Sequence, residues 1–299
     1  MNEDQILKIM QPCFGNIQLE NPLVLGAGLI KTVDGADGLE HWINKVNASM
    51  LTVGSFTMNP CAGNSGEVLV DCGAYHINRM GLPNKGKLGL KDLKPLIELA
   101  HQKGKKICLS LAVRDEPKKE LFKLFNEIEK EYKPDVVEIN ISCPNVEGNM
   151  HMIEYADFSK LLVDLAHNLN FDYTLKLPLI TTIDVVKALA FAEKMQLLHC
   201  ISLINTIPFC YDPKTKMFGG MSGSYLYPIV LGNVKLLRDY DYRGDIFADG
   251  GVSTGKQAVE LLKAGATAIS MVSSVLNDSK VFDRVQDEMI DILENTDGF

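Results

Sequence analysis

Two side chains in this sequence could take part directly in chemistry. Lys176 lies inside an apolar run, LKLPL, where burial of its ammonium group is costly unless an anion or a covalent partner meets it. It could form a Schiff base with a carbonyl substrate or act as a fixed cation beside an anionic cofactor, unless its side chain simply extends out at the end of the run. Cys143, in the segment NISCPN, carries a thiol that could act as a base or a nucleophile, or fill space as a small apolar group.

The elements that must position these residues alternate between strand and helix along nearly the whole chain. Short runs rich in Val, Ile and Leu are each followed by a segment with helical periodicity. Runs such as ICLSLAV are apolar at consecutive positions, which is typical of strands buried on both faces of a parallel sheet. The predicted strands span residues 22–25, 50–53, 106–112, 136–142, 174–179, 200–206, 245–248 and 268–273. These eight units predict an α/β fold, a closed (β/α)8 TIM barrel in a single domain, with a doubly wound open sheet as the alternative.

The carboxyl ends of the strands are where a barrel of this kind carries its active site. Gly250 and Gly251 follow the seventh predicted strand and Ser273 ends the eighth, which predicts a phosphate site built from backbone N–H groups, unless the glycines form only a tight turn. The segment FGGMSG, residues 218–223, predicts a further glycine-rich turn at the start of a helix. Residues 56–86 contain no predicted element, and an irregular stretch of that length predicts a functional insertion.

Composition and charge argue against several classes of function. The formal net charge of −8 opposes general binding to nucleic acid or to an anionic membrane surface. No uncharged apolar run approaches the ~18 residues of a membrane span, and the N-terminus shows no secretory signal, which predicts a cytoplasmic protein. The seven cysteines form no CxxC pair, so we expect no metal site and no iron–sulfur cluster in this chain.

The motifs INISCPNV, LKLPL, INT, GGMSG and ADGGVSTGKQAVELLKAGA, taken together, resemble the dihydroorotate dehydrogenase family in their order and approximate spacing. The resemblance extends from NPLVLGAGL, which begins at Asn21, to the last predicted strand. It implies an FMN-dependent oxidation of dihydroorotate to orotate in pyrimidine biosynthesis, and it favours the closed barrel. It also implies that the substrate stacks on the flavin at the mouth of the barrel.

The resemblance assigns roles to individual residues. Cys143 matches the base that removes the proton from carbon five of the substrate while a hydride passes from carbon six to the flavin, and residues 142–152 match a lid loop over the active site. Lys176 matches a catalytic cation near the pyrimidine end of the flavin. The implied substrate ligands are Lys31, Asn78, Met80, Gly81, Leu82, Asn140, Asn145, Asn205 and Thr206. The implied FMN ligands are Ala27, Gly28, Ser55, Asn140, Lys176, Ser222, Gly223, Gly250, Gly251, Val272 and Ser273.

The sequence departs from the family pattern at several positions. The soluble, cysteine-using classes carry a lysine after the second strand, where this chain has Gly54. Lys31 instead fits the lysine position of the membrane-associated class, although that class uses serine as its base and has an N-terminal extension for quinone that we do not expect in this protein. Two further departures are the segment GAG at residues 26–28, in place of ASG or AAG, and Val272, where glycine or tyrosine is usual.

The electron acceptor and the partners follow from the same resemblance. Without the extension we expect a soluble acceptor, either fumarate or NAD through a partner iron–sulfur flavoprotein subunit, and a homodimer or a heterotetramer. The mixed lysine positions keep open a related flavin-dependent reductase that acts on another dihydropyrimidine or ene-like substrate. A flavin-free lyase that uses Lys176 as a Schiff base, and a barrel that only binds a ligand, are the remaining alternatives.

Overall fold

The strands of the protein form a closed parallel barrel. The computed structural model describes residues 3–33, 35, 38–113, 118–142 and 155–295. Its barrel strands are β1 (Leu23–Ile30), β2 (Met50–Phe56), β3 (Lys106–Ala112), β4 (Val136–Asn140), β5 (Tyr173–Leu177), β6 (Cys200–Leu203), β7 (Asp245–Asp249) and β8 (Ala268–Met271). Each strand pairs in parallel with its neighbours in chain order, and β8 pairs with β1. The closed barrel is therefore confirmed, and the open sheet is wrong.

A helix follows each barrel strand and covers the outside of the sheet. These helices are Leu39–Lys45, Leu93–Gln102, Lys118–Tyr132, Tyr155–Asn168, Ile183–Lys194, Tyr227–Asp239, Gly255–Ala264 and Val281–Glu294. The seventh shows how local sequence fixes the bounds: Thr254 and Gln257 form a reciprocal capping box at its start, and Gly265 adopts a left-handed φ of 113° at its end. Further helical segments are Glu3–Met10, Gly86–Leu90, Ser224–Leu226 and Ser273–Asn277. Within the described ranges, no helix combines the length and apolar character that a membrane span requires.

The interior of the barrel is apolar at the amino ends of the strands and polar towards the carboxyl ends. Successive residues of a strand point to opposite faces, so Cys108 and Ser110 share the inner face of β3. Cys108 packs in an apolar cluster that is closed by an N-terminal hairpin of two short strands, Cys13–Phe14 and Ile17–Gln18. The ring of Phe14 in this hairpin stacks on Phe247 at 4.3 Å between centroids. Further along, Ser110 and Glu138 are buried inside the barrel. This polar layer forms the floor on which a site at the carboxyl ends is built.

A four-stranded antiparallel sheet lies outside the barrel and corrects two expectations. It comprises Leu69–Asp71, Tyr75–Asn78, Ile207–Asp212 and Met217–Gly223. Residues 56–86 are thus not without elements, and the segment at residues 218–223 is part of a strand rather than a turn at the start of a helix. The sheet consists of two local hairpins whose strands are short and in one case rich in glycine. Only the pairing of Tyr75–Asn78 with Met217–Gly223 joins segments that lie far apart in the chain. Gly219 permits that pairing, since a Cβ atom there would lie 2.5 Å from the Asn78 carbonyl oxygen.

Candidate active site

A cavity opens at the carboxyl ends of the barrel strands and is lined by both the barrel and the four-stranded sheet. Its empty volume, including the part that is open to solvent, is about 1200 Å³. The barrel contributes Asn140 and Lys176 to the wall, and the sheet contributes Asn78 and Ser222.

The structure brings the residues singled out in the sequence together around this cavity. Those that line it are Ala27, Gly28, Lys31, Ser55, Asn78, Met80, Gly81, Leu82, Asn140, Lys176, Asn205, Thr206, Ser222, Gly223, Gly250, Gly251, Val272 and Ser273. Two of the residues named in the sequence, Cys143 and Asn145, lie outside the described residues, as does the predicted lid loop after Ser142. The arrangement supports one shared site, while the role of each residue stays a prediction.

Lys176 forms a buried ion pair with Asp249 at the floor of the cavity. Its Nζ atom donates a hydrogen bond of 2.7 Å to Asp249 Oδ2, and the two residues are only 4% and 7% exposed. Burial alone lowers the pKa of Lys176, but the carboxylates of Asp249 and Glu138 overcome that effect and raise the pKa above its ordinary value. The side chain is therefore a buried ammonium and does not extend into solvent at the end of β5.

The protonation of Lys176 decides between its two chemical roles. A Schiff base requires a neutral amine, which active sites obtain by lowering the pKa of the lysine. Here the pKa is raised, so the side chain stays charged at neutral pH. The geometry consequently favours a fixed cation and disfavours the flavin-free lyase.

A chain of hydrogen bonds orients Asn140 in the cavity wall. Asn140 Nδ2 donates to Ser55 Oγ at 2.8 Å, the hydroxyls of Ser55 and Ser110 are 2.7 Å apart, and Ser110 Oγ donates to Glu138 Oε1 at 2.8 Å. Because a carboxylate only accepts hydrogen bonds, Glu138 fixes the direction of the chain, with each group donating towards it. The Asn140 amide must therefore turn its nitrogen towards Ser55 and its oxygen away from it.

The oxygen of Asn140 is in turn shared with the neighbouring loops. Asn140 Oδ1 accepts hydrogen bonds from the Ser142 backbone N–H at 3.1 Å and from Asn205 Nδ2 at 3.4 Å. Asn205 Nδ2 also contacts Ser142 Oγ at 3.1 Å. The two asparagines are held in a common orientation, which limits the rotamer entropy that a ligand must remove.

Glycines bring the backbone close together at the end of the cavity where a phosphate is predicted. Gly251 has a φ of 78°, and a Cβ atom there would lie 2.5 Å from the Tyr227 backbone nitrogen and 2.8 Å from the Gly223 carbonyl oxygen. Gly223 itself has a φ of 117° and would place a Cβ atom 2.6 Å from Tyr75 Cα. A side chain is therefore excluded at each of these two positions, which lets backbone segments approach closely at this end of the cavity.

Two hydroxyls in the cavity wall lack a hydrogen-bond partner among the described residues. Thr206 Oγ1 and Ser274 Oγ are both buried, and both residues line the cavity. Buried hydroxyls are normally satisfied, so each is suited to a polar group of a bound molecule. Ser274 lies next to Ser273 in the short helix after β8, at the predicted phosphate end.

The structure accounts for the departures from the family pattern. Gly54 has a φ of 114°, and a Cβ atom there would lie 2.6 Å from the Ser110 carbonyl oxygen, so a lysine cannot be accommodated at this position. Lys31 lines the cavity instead. At Gly26 a Cβ atom would overlap Ser270 Oγ and lie 2.8 Å from Val272 Cγ2, so the glycine in GAG and the valine compensate each other.

Sequence reasoning missed several polar residues of the site. Asp249 and Ser270 line the cavity, and Ser110 and Glu138 support it from below. A signal was present for two of them. Glu138 is a charge inside an apolar strand, as Lys176 is, and Asp249 stands at a strand end directly before the paired glycines.

Comparison with known proteins adds to this geometry. The family model described as dihydroorotate dehydrogenase matches residues 9–293. The catalytic subunit of dihydroorotate dehydrogenase B (NAD(+)) from Thermotoga maritima is 28% identical over 280 residues, which cover 92% of this chain and 99% of the relative. The dihydroorotate dehydrogenase (fumarate) of Trypanosoma brucei brucei is 27% identical over 296 residues, which cover 93% and 91% respectively.

A solved structure shares the fold. The crystal structure of DHODH from Eimeria tenella, in complex with ferulenol, superimposes with a TM-score of 0.81 at 19% sequence identity. The match covers 96% of this chain and 85% of the other. At 19% identity, this similarity shows that the two proteins share the fold and nothing further.

Proposed function

The chain belongs to the dihydroorotate dehydrogenase family, and from this premise we propose that it oxidises dihydroorotate to orotate with FMN as its cofactor, in pyrimidine biosynthesis. The observation that carries the proposal is the shared cavity, since every described residue that the family motifs implicate lines it. The match covers 90% of the relative from Thermoplasma acidophilum and 99% of the relative from Thermotoga maritima, so the comparison extends over most of each catalytic subunit.

The wall of the cavity fits FMN in three respects. The backbone around Gly223 and Gly251 leaves no room for side chains, and Ser274 Oγ is a buried hydroxyl that needs a partner, which together suit a phosphate group. Lys176 supplies a positive charge at the cavity floor, which suits the pyrimidine end of a flavin. When bound, FMN accepts the hydride that leaves carbon six of the substrate.

The amide side chains of the cavity suit a substrate that both donates and accepts hydrogen bonds. Asn78, Asn140 and Asn205 each offer an amide, and the ring amides and carboxylate of dihydroorotate require both functions. Thr206 Oγ1 adds a hydroxyl without a partner in the described part of the chain. These groups would orient carbon five and carbon six for the loss of a proton and a hydride.

Cys143 remains our proposal for the base, on the strength of the sequence motif. Its thiolate would take the proton from carbon five, and the residue follows Ser142, whose side chain contacts Asn205. Residues 142–152 are proposed as the lid that excludes water during this step.

We propose that the electron acceptor of this protein is soluble. Curated relatives of similar identity include NAD(+)-linked catalytic subunits, such as that of Thermoplasma acidophilum, and fumarate-linked enzymes, such as that of Kluyveromyces lactis. Both kinds support a small soluble acceptor, used either directly or through a partner subunit. We propose a homodimer in the first case, a heterotetramer in the second, and a cytoplasmic location in both.

The proposed function is tested by substrate choice. Purified protein is loaded with FMN and mixed anaerobically with dihydroorotate or with dihydrouracil, and the loss of flavin absorbance is followed. We expect bleaching by dihydroorotate and a much slower reaction with dihydrouracil, which lacks the carboxylate. Bleaching by dihydrouracil alone would instead favour the related reductase that the mixed lysine positions suggest.

A further inference from the structure

We propose that Asp249 is a positioning residue that fixes Lys176 and offsets part of its positive charge, and so sets the electron affinity of the cofactor. This inference rests on the proposed function, because it concerns the flavin site. It goes beyond that function in naming a carboxylate that opposes the cation at the cavity floor.

The placement of the pair supports this role. Lys176 comes from β5 and Asp249 from the end of β7, so the ion pair spans the intervening strand β6. Both residues line the cavity, and both are more than nine-tenths buried. The carboxylate therefore lies within one hydrogen bond of the ammonium that a cofactor on this floor would meet.

The hydrogen bonding of Lys176 leaves it able to serve both partners. An ammonium group has three donors, and Asp249 is the hydrogen-bond partner of Nζ among the described residues. The remaining donors are available to a bound molecule. Asp249 thus limits where Nζ can lie without preventing the lysine from contacting the cofactor.

The charges determine the direction of the effect. A lone buried ammonium strongly stabilises negative charge nearby, whereas an ammonium paired at 2.7 Å with a carboxylate presents a much weaker field. Glu138 adds a second carboxylate inside the barrel, bonded to Ser110 rather than to the lysine. Negative charge that develops on the reduced cofactor is therefore stabilised less than it would be by Lys176 alone.

Sulfite is a suitable probe, because it adds to oxidised flavin and leaves negative charge on the ring without any electron donor. The Kd of sulfite and the flavin midpoint potential are measured for wild-type holoprotein, for Asp249→Asn and for Asp249→Thr, a smaller variant that also removes the charge. We expect sulfite to bind at least tenfold more tightly to each variant, which corresponds to about 30 mV for a two-electron couple. Asp239→Asn, which removes an exposed carboxylate at the end of the helix Tyr227–Asp239, is the control and should leave both values unchanged.

The outcomes separate this inference from the proposed function. A wild-type protein that takes up no FMN, or whose FMN is not bleached by dihydroorotate, contradicts the proposed function. Variants that hold FMN but bind sulfite with unchanged or weaker affinity overturn the role of Asp249. Loss of FMN from both variants would show that Asp249 only maintains the site, and would overturn the role as well.

Discussion

Removal of the Lys176 ammonium should destabilise the protein strongly, because it leaves Asp249 charged and buried without a partner. Breaking a buried ion pair by deleting one member costs about 3–5 kcal/mol. With about 2.1 cal/mol/K of unfolding entropy per residue, 299 residues give about 0.6 kcal/mol/K, so Lys176→Met should lower Tm by about 5–8 °C. The double variant Lys176→Met/Asp249→Leu should recover most of this loss, since an apolar pair avoids the desolvation of both charges.

The assay is urea unfolding of the apoprotein at pH 7, so that cofactor binding does not contribute to the measured stability. Folding raises the pKa of Lys176. The ion pair therefore contributes its full stabilisation at any pH below the ordinary pKa of lysine, and it loses this contribution only as the pH rises through the higher pKa of the folded state. The difference in the free energy of unfolding between wild type and Lys176→Met should accordingly stay constant from pH 7 to about 9. A loss below about 1 kcal/mol, the value of an exposed pair, would refute the reasoning that the pair is buried.

Three further predictions concern other parts of the site. Gly54→Lys should lower the free energy of unfolding in urea by about 2–4 kcal/mol, because Gly54 has a φ of 114° and a side chain there would collide with the Ser110 carbonyl. The control Gly232→Ala, at an open position in a helix, should not lower it. Equal changes in the two variants would contradict the steric argument. Ser274→Ala should weaken FMN binding about tenfold in a fluorescence titration without lowering the stability of the apoprotein, and an unchanged Kd would remove Ser274 from the phosphate site. The rate of flavin reduction should rise with pH through an ordinary thiol titration near ~8.5, since Lys176 stays charged in this range; a flat profile from pH 6 to about 9 would point to a base other than Cys143.

The barrel could be predicted from the sequence because its signal is local. The run ICLSLAV is apolar at nearly all of its consecutive positions, which is typical of a strand with helices on one face and a packed interior on the other, and the predicted residues 106–112 coincide with β3. The four-stranded sheet could not be predicted in the same way. Tyr75–Asn78 pairs with Met217–Gly223, more than a hundred residues away in the chain, and neither segment has a strong local preference for strand.

The site could be predicted in part for a similar reason. Lys176 stood out because a charge inside an apolar strand demands a partner, but the sequence does not say which acid provides it. Asp249 becomes that partner because the strand order places β7 two strands away from β5, which only the folded barrel shows. The compensation between Gly26 and Val272 likewise depends on the pairing of β8 with β1, which no local pattern expresses.

In the proposed function, FMN binds in this cavity and the thiol of Cys143 removes a proton from dihydroorotate. This proposal is tested most directly by anaerobic, single-turnover reduction of bound FMN by dihydroorotate in wild type and in Cys143→Ala. We expect equal FMN content in the two proteins, bleaching of the wild type, and reduction at least about 100-fold slower in the variant. FMN that stays oxidised in the wild type, or that is reduced equally fast in both, would contradict it.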